Sequence, residues 1–191
     1  MKALVLNGAR EGETAVDDAA EGVSGELRAA GWEVDCLRLR DMEIARCQGC
    51  FACWTRTPGI CVIDDAGRQV AELAVQSDLM VWVSPVTFGG YSSELKKALD
   101  RLIPVVSPFF MKIGGEVHHK PRYDRYPAIA AIGVLPKLDQ ESEDTFRTLV
   151  GRNAINVHSP ACGAEVLSMD QTPETVEQQI GSLLRKVGAK E

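Results

Sequence analysis

Short, uniformly apolar runs recur along this sequence, and between them the apolar side chains fall at helical spacing. Ala3–Leu6, Leu79–Val83 and Ala128–Val134 have no polar face, as a strand covered on both sides requires. Val34–Leu39 is more polar and reads as an edge strand, and the last strand is expected within Val157–Leu167, interrupted by Pro160 and Gly163. Four helical patterns accompany these runs. They are Val16, Ala20, Val23, Leu27 and Ala30 before Gly31; Leu95, Leu99, Leu102 and Val106; a weaker one over Ser142–Arg152; and Val176, Ile180, Leu183 and Val187 behind a Thr172-Pro173-Glu174 start. Such alternation needs crossover connections and hence a mostly parallel sheet. The expected fold is α/β, a doubly wound five-stranded parallel sheet of order 2-1-3-4-5, in a single domain over residues 1–191. Two stretches are too long for plain connections: a cysteine-rich insertion at about 41–63 and a long loop at about 104–125 before strand 4.

The formal net charge of −6 argues against a nucleic-acid surface, which needs a basic stripe. No apolar run approaches membrane-spanning length, and the apolar part of Met1–Gly8 is too short for a secretory leader. A cytoplasmic location is therefore expected. Thiols stay reduced there, so clustered cysteines point to metal or redox chemistry rather than to disulfides.

Cys47, Cys50, Cys53 and Cys61 follow the spacing C-x2-C-x2-C-x7-C. A cubane iron–sulfur cluster needs four thiolates around one small volume. Two-residue gaps let a turning loop aim successive sulfurs inward, and the longer gap returns the fourth. Structural zinc more often pairs two C-x2-C arms across a longer separation. Zinc, and free thiols beside a binding pocket, remain open alternatives. Cys36 and Cys162 lie far away in sequence and read as core residues.

In a doubly wound sheet, ligands bind beyond the carboxyl ends of the strands where the strand order reverses. At the central strand this segment is Ser84-Pro85-Val86-Thr87-Phe88-Gly89-Gly90-Tyr91-Ser92. Its two glycines allow close approach to a planar ring, Phe88 and Tyr91 are candidates to stack on it, and Ser92 is placed to cap the next helix. The first loop, Asn7 to Thr14, meets a helix start. Gly8, Gly12, Arg10 and Thr14 suit a phosphate there, while Glu11, Glu13, Asp17 and Asp18 surround it with negative charge that also favours the helix dipole.

With these motifs, residues 1 to about 170 resemble the iron–sulfur flavoprotein branch of the NADPH-dependent FMN reductase and flavodoxin-like superfamily. The resemblance rests on Cys47 to Cys61 followed by Asp64-Asp65, on Ser84 to Gly90, and on Leu95-Lys96 and Asp100-Arg101. It implies a [4Fe-4S] cluster on the four sulfurs. It also implies FMN held by Gly8, Ala9, Arg10 and Thr14 in the first loop and, mostly through backbone groups, by Ser84, Pro85, Val86, Thr87, Phe88, Gly89 and Gly90. Ala9 stands where the family usually carries a hydroxyl residue.

The expected function is electron transfer through FMN and a cluster, which joins a two-electron donor to one-electron carriers such as ferredoxin; no catalytic residue is assigned. One alternative is an NAD(P)H-dependent FMN or quinone reductase with no cluster. Another is a non-catalytic metal-binding or interaction domain that has lost its flavin. His118, His119, Arg122 and Tyr123 of the long loop are candidates for the substrate side of the pocket, against packing of that loop on a second subunit. The resemblance implies a homodimer or homotetramer.

Overall fold

The computed structural model describes residues 1–189; residues 190 and 191, the end of the expected 1–191 domain, lie outside the described residues. In chain order the elements are β1 (Lys2–Asn7), α1 (Thr14–Ala29), β2 (Glu33–Arg38), α2 (Ala52–Thr55), α3 (Ala66–Gln76), β3 (Leu79–Pro85), α4 (Ser93–Asp100), β4 (Val106–Ile113), β5 (Glu116–Pro121), β6 (Ala128–Leu135), α5 (Gln140–Asn156), β7 (Cys162–Ser168) and α6 (Pro173–Lys186). The main sheet runs β2-β1-β3-β6-β7, with every neighbouring pair parallel. Setting aside the separate β4–β5 pair, this is the 2-1-3-4-5 order that the alternating pattern predicts.

The central strands are apolar throughout because both faces are covered. Along β1, Ala3 and Val5 face a core shared with α1 and α6, whereas Leu4 and Leu6 face one shared with α3, α4 and α5. Side chains alternate across the sheet, so successive residues feed opposite layers. β2 is the edge strand expected. Its alternation leaves Cys36 exposed, which corrects its reading as a core residue, and Cys162 on the opposite edge strand is only half-buried.

Three further expectations change. The apolar face read from Leu95 to Val106 outruns its helix: α4 stops at Asp100 and Val106 begins a strand. α5 ends at Asn156, so Val157 and His158 belong to the turn after it, and β7 starts only at Cys162. The stretch at 104–125 is largely an antiparallel hairpin. β4 and β5 are joined by Gly114-Gly115, both at positive φ (57° and 89°), as a two-residue turn matched to strand twist requires. The Tyr126 hydroxyl donates to the Val105 carbonyl (2.6 Å), and Nε2–H of His158 donates to the His119 carbonyl (2.7 Å). These bonds fix the hairpin against the body of the sheet. α3 was not legible from periodicity, because much of its inner face is alanine and glycine beside Val70. Its start carries a readable signal, the Asp65 carboxylate accepting the Gly67 N–H (2.9 Å).

Among the described residues, no helix is long and apolar enough to cross a membrane.

Candidate functional site

The carboxyl ends of β1 and β3 are stitched together. Gly8 N–H donates to the Val83 carbonyl (2.7 Å). The Ser92 hydroxyl donates to the Gly8 carbonyl (2.6 Å) and accepts the Leu95 N–H (3.2 Å), capping α4 as its position suggests. Ser92 N–H in turn donates to the Ser84 hydroxyl (2.8 Å). A Cβ on Gly8 would stand 2.8 Å from that of Leu95, so this approach needs glycine.

Beyond β3 the chain makes a tight turn. Thr87 and Gly90 exchange both backbone hydrogen bonds (2.9 Å each), and Val86 N–H donates to the Val134 carbonyl (2.9 Å). Phe88 and Gly89 at the tip both have positive φ, 50° and 72°. Phe88 is wholly exposed, an apolar ring in a conformation that L residues rarely adopt. The Phe88 N–H has no partner among the described residues, whereas Gly89 is buried against Thr145, where an added Cβ would lie 2.5 Å from the threonine methyl. Tyr91 does not share that role. Its ring packs edge-on against Trp82 and Phe146, centroids 5.9 and 5.7 Å away, and its hydroxyl accepts from Asn153 (3.1 Å). Burial pushes that phenol up to about 12, against the opposing Asn153 bond. Tyr91 is half-buried with its ring engaged by the core, not by the turn that its reading as a ring-stacking candidate assumed.

In the first loop Asn7 organises the turn, accepting the Ala9 N–H (2.9 Å) and donating to Asp17 (2.7 Å). Ala9 is fully buried in the α1/α6 core; with its N–H bonded to Asn7, its contribution is packing. Arg10 turns to Glu13. Its backbone N–H (2.7 Å), Nε (3.0 Å) and Nη2 (2.6 Å) all donate to that carboxylate. Burial pushes the Glu13 carboxyl up, but these bonds outweigh it and hold it below the usual range. Thr14, exposed, opens the sixteen-residue α1, whose cap residue Glu13 makes no side-chain capping bond. The first loop's donor set suits the phosphate of FMN in kind: helix-start N–H groups, the exposed Thr14 hydroxyl and a guanidinium. Glu13 already engages the Arg10 guanidinium and backbone N–H.

Cys47 and Cys50 are exposed, Cys61 is intermediate, and Cys53 lies buried at the second residue of α2. All four line one cavity of about 310 Å³ with Gly49, Phe51, Asp100 and Arg101. Burial pushes the Cys53 thiol up, as do the three other cysteines. Among the described residues, no three or more His, Cys, Asp or Glu side chains stand at metal-ligating separations. The sulfurs thus share a cavity without being drawn into coordination, and a four-thiol set fits a cubane in kind.

An aromatic stack joins the cysteine segment to the hairpin: Phe51 on Trp54 (5.1 Å), Trp54 on His119 (4.7 Å), His119 on Phe110 (4.6 Å). Trp54 Nε1–H anchors it at the Val106 carbonyl (2.9 Å). His119 belongs to this stack. His118 is buried, with Nδ1 at Asn156 (2.9 Å) and Nε2 at Glu116 (3.1 Å). Arg122 Nε–H donates to the Pro104 carbonyl (2.8 Å). The residues His118, His119 and Arg122 thus hold the hairpin in place, a role that sequence reasoning missed because their partners lie on distant segments.

The profile of the family described as NADPH-dependent FMN reductase matches residues 1–137 of the 191-residue chain. The chain is 32% identical over 123 residues to an iron-sulfur flavoprotein of Methanocaldococcus jannaschii, a match covering 61% of each. An iron-sulfur flavoprotein of Archaeoglobus fulgidus is 31% identical over 101 residues, 53% of this chain and 48% of that one. The chain thus spans less than two thirds of the length of these relatives. Among solved structures, an NAD(P)H:quinone oxidoreductase from Methanothermobacter marburgensis superposes with a TM-score of 0.70 at 13% identity, covering 99% of this chain and 96% of that one. The azoreductase AzrA superposes with a TM-score of 0.66 at 13% identity, covering 97% and 96%. At such identities the likeness is one of fold.

Proposed function

The chain belongs to the NADPH-dependent FMN reductase family, and from that premise we propose that it is an FMN-dependent oxidoreductase carrying a [4Fe-4S] cluster on Cys47, Cys50, Cys53 and Cys61. The observation that carries this reading is the convergence of all four cysteines on one cavity. Bound FMN exchanges electrons singly or in pairs and a cubane passes one at a time, so together they join a two-electron donor such as NAD(P)H to a one-electron carrier of the ferredoxin kind. The chain's own residues bind and orient. Ser84 to Gly90, rigidified by the Thr87–Gly90 pair, offers the Phe88 amide to the ring. Gly8 permits the loops to close, and Thr14 with the first turn of α1 receives the phosphate. Arg10 is available to that phosphate once Glu13 releases it. No side chain is assigned as acid or base. Phe88, Phe109 and Phe110, all exposed, support self-association as a homodimer or homotetramer.

A second reading, an NAD(P)H-dependent FMN or quinone reductase whose cysteines are thiols, is favoured by the absence of ligating separations among the described cysteines. The visible spectrum of protein purified without oxygen separates the two. Broad absorbance beneath two flavin bands is expected, and flavin bands alone favour the second reading. Cys50→Ser is expected to abolish iron binding while the fold survives. Full iron stoichiometry in that variant refutes the cluster assignment.

A further inference from the structure

Arg101 ends α4 with its side chain only 1% exposed, and it lines the cysteine cavity. A guanidinium carries five N–H donors. Nη1 donates to the Ala45 carbonyl (2.9 Å) and to Asp65 Oδ2 (2.8 Å). Nη2 donates to the Ile63 carbonyl (3.1 Å) and to Asp65 Oδ1 (2.8 Å). Ala45 and Ile63 flank the cysteine segment on its two sides. Asp65 reinforces the closure by accepting the Ala45 N–H (2.8 Å). A Cβ on Gly67 would lie 2.9 Å from Arg101 Cζ, so a glycine is what lets the guanidinium reach its seat. One buried ion pair therefore holds both ends of the segment that bears all four cysteines.

The fifth donor, Nε–H, is buried and has no partner. An unpaired buried donor is unfavourable and calls for an acceptor. Cys61 lines the same cavity and stands two residues before Ile63, whose carbonyl this guanidinium already holds. A thiolate sulfur accepts hydrogen bonds, and bonds to cluster sulfurs raise the reduction potential by offsetting their negative charge.

We propose that Arg101 is the positioning residue of the cysteine site: with Asp65 it clasps both ends of the segment from Ala45 to Ile63, and its free Nε–H is held for the sulfur of Cys61. The second half rests on the cluster reading; the first does not.

The variants Arg101→Gln and Asp65→Asn test the two halves. In the metal-free full chain, exchange of the hydrogen-bonded amides of Trp54, Thr55, Arg56, Thr57, Gly59 and Ile60 is expected to speed up at least about 100-fold in both, as a broken buried pair allows, with β1 and β3 unchanged. Unchanged exchange overturns the clasp. After anaerobic addition of ferrous iron and sulfide, both variants are expected to hold iron roughly 10–100-fold less tightly than wild type. The midpoint potential separates charge from scaffolding. It is expected to fall in Arg101→Gln, which loses the cation, and not in Asp65→Asn, which keeps it. A potential unmoved in Arg101→Gln overturns the sulfur contact. A wild-type chain that takes up no iron overturns the cluster reading and the sulfur half with it, while exchange still decides the clasp. Should Arg101→Gln fail to fold, Asp65→Asn decides the clasp by exchange, and Arg101→Lys replaces it for the potential. There the cation remains but Nε–H is lost, so an unshifted potential overturns the contact.

Discussion

Replacing Ser92 by alanine removes one oxygen atom from the point where three segments of the site meet. The Ser92 hydroxyl is buried, accepts the Leu95 N–H at the start of α4, and donates to the Gly8 carbonyl 2.6 Å away. Alanine keeps the backbone and the Cβ but leaves both groups without their partner. Loss of a helix cap costs about 1 kcal/mol and orphaning a buried carbonyl about 1–3 kcal/mol, so a total of roughly 2–4 kcal/mol is expected. With a urea slope near 2 kcal/mol/M, the unfolding midpoint followed by far-UV circular dichroism should fall by about 1–2 M. Ser93→Ala is the control. Ser93 is exposed and makes only a 3.4 Å contact with Glu94, so its change should stay within about 0.5 kcal/mol. Because the lost bond also fixes the first loop against β3, FMN affinity measured by flavin fluorescence should weaken in Ser92→Ala and not in Ser93→Ala. A loss below about 1 kcal/mol in Ser92→Ala, or equal behaviour of the two variants, would refute the stitching of the loops through this hydroxyl.

Two further outcomes are expected. Glu13→Gln frees Arg10 from an exposed ion pair worth about 0.3–1 kcal/mol, so FMN should bind roughly 2–5-fold tighter by fluorescence titration while riboflavin, lacking the phosphate, is unaffected. Weaker FMN binding in that variant would make Glu13 a helper of the loop and not a competitor for its anion place. Burial pushes the Asp65 carboxyl up, but the Arg101 guanidinium and the Ala45 and Gly67 N–H groups hold it below the usual range. A lowered folded value means that the pair's stabilisation is complete above the ordinary aspartate value of about 3.9 and is lost as pH falls below it toward the folded value. Limited pepsin cleavage within residues 46–62 should therefore rise between about pH 4 and pH 2 in wild type more than in Asp65→Asn; parallel profiles would contradict the assignment.

The order of the main sheet was legible because each central strand is a run of apolar residues and the crossover helices other than α3 carry their own stripes, patterns that report burial directly. Caps at Ser92 and Thr172 were legible for a similar reason: a short hydroxyl side chain before a helical run has little else to do. The hairpin carried a local signal, Gly114-Gly115 between strand-like flanks, that the length of the segment obscured. Other features had no local signal. Asp100-Arg101 stood out in the sequence only as part of the family resemblance, yet one member is exposed and the other buried, because the guanidinium reaches Asp65, 36 positions earlier. Tyr91 follows a loop and reads as a ring contact, yet it turns into the core toward Phe146, 55 positions later.

By itself, then, the sequence determined the layers, the strand order and the presence of four thiols at a pitch suited to one small volume, since each depends on spacing along a few turns of chain. Only the tertiary structure decided that the four thiols share a cavity, that a single ion pair between Asp65 and Arg101 closes both ends of their segment, and that Tyr91 packs against Phe146. Those facts depend on which side chain lies nearest an unsatisfied charge or donor once the layers have packed. That choice is made through space, between residues that the chain itself keeps apart.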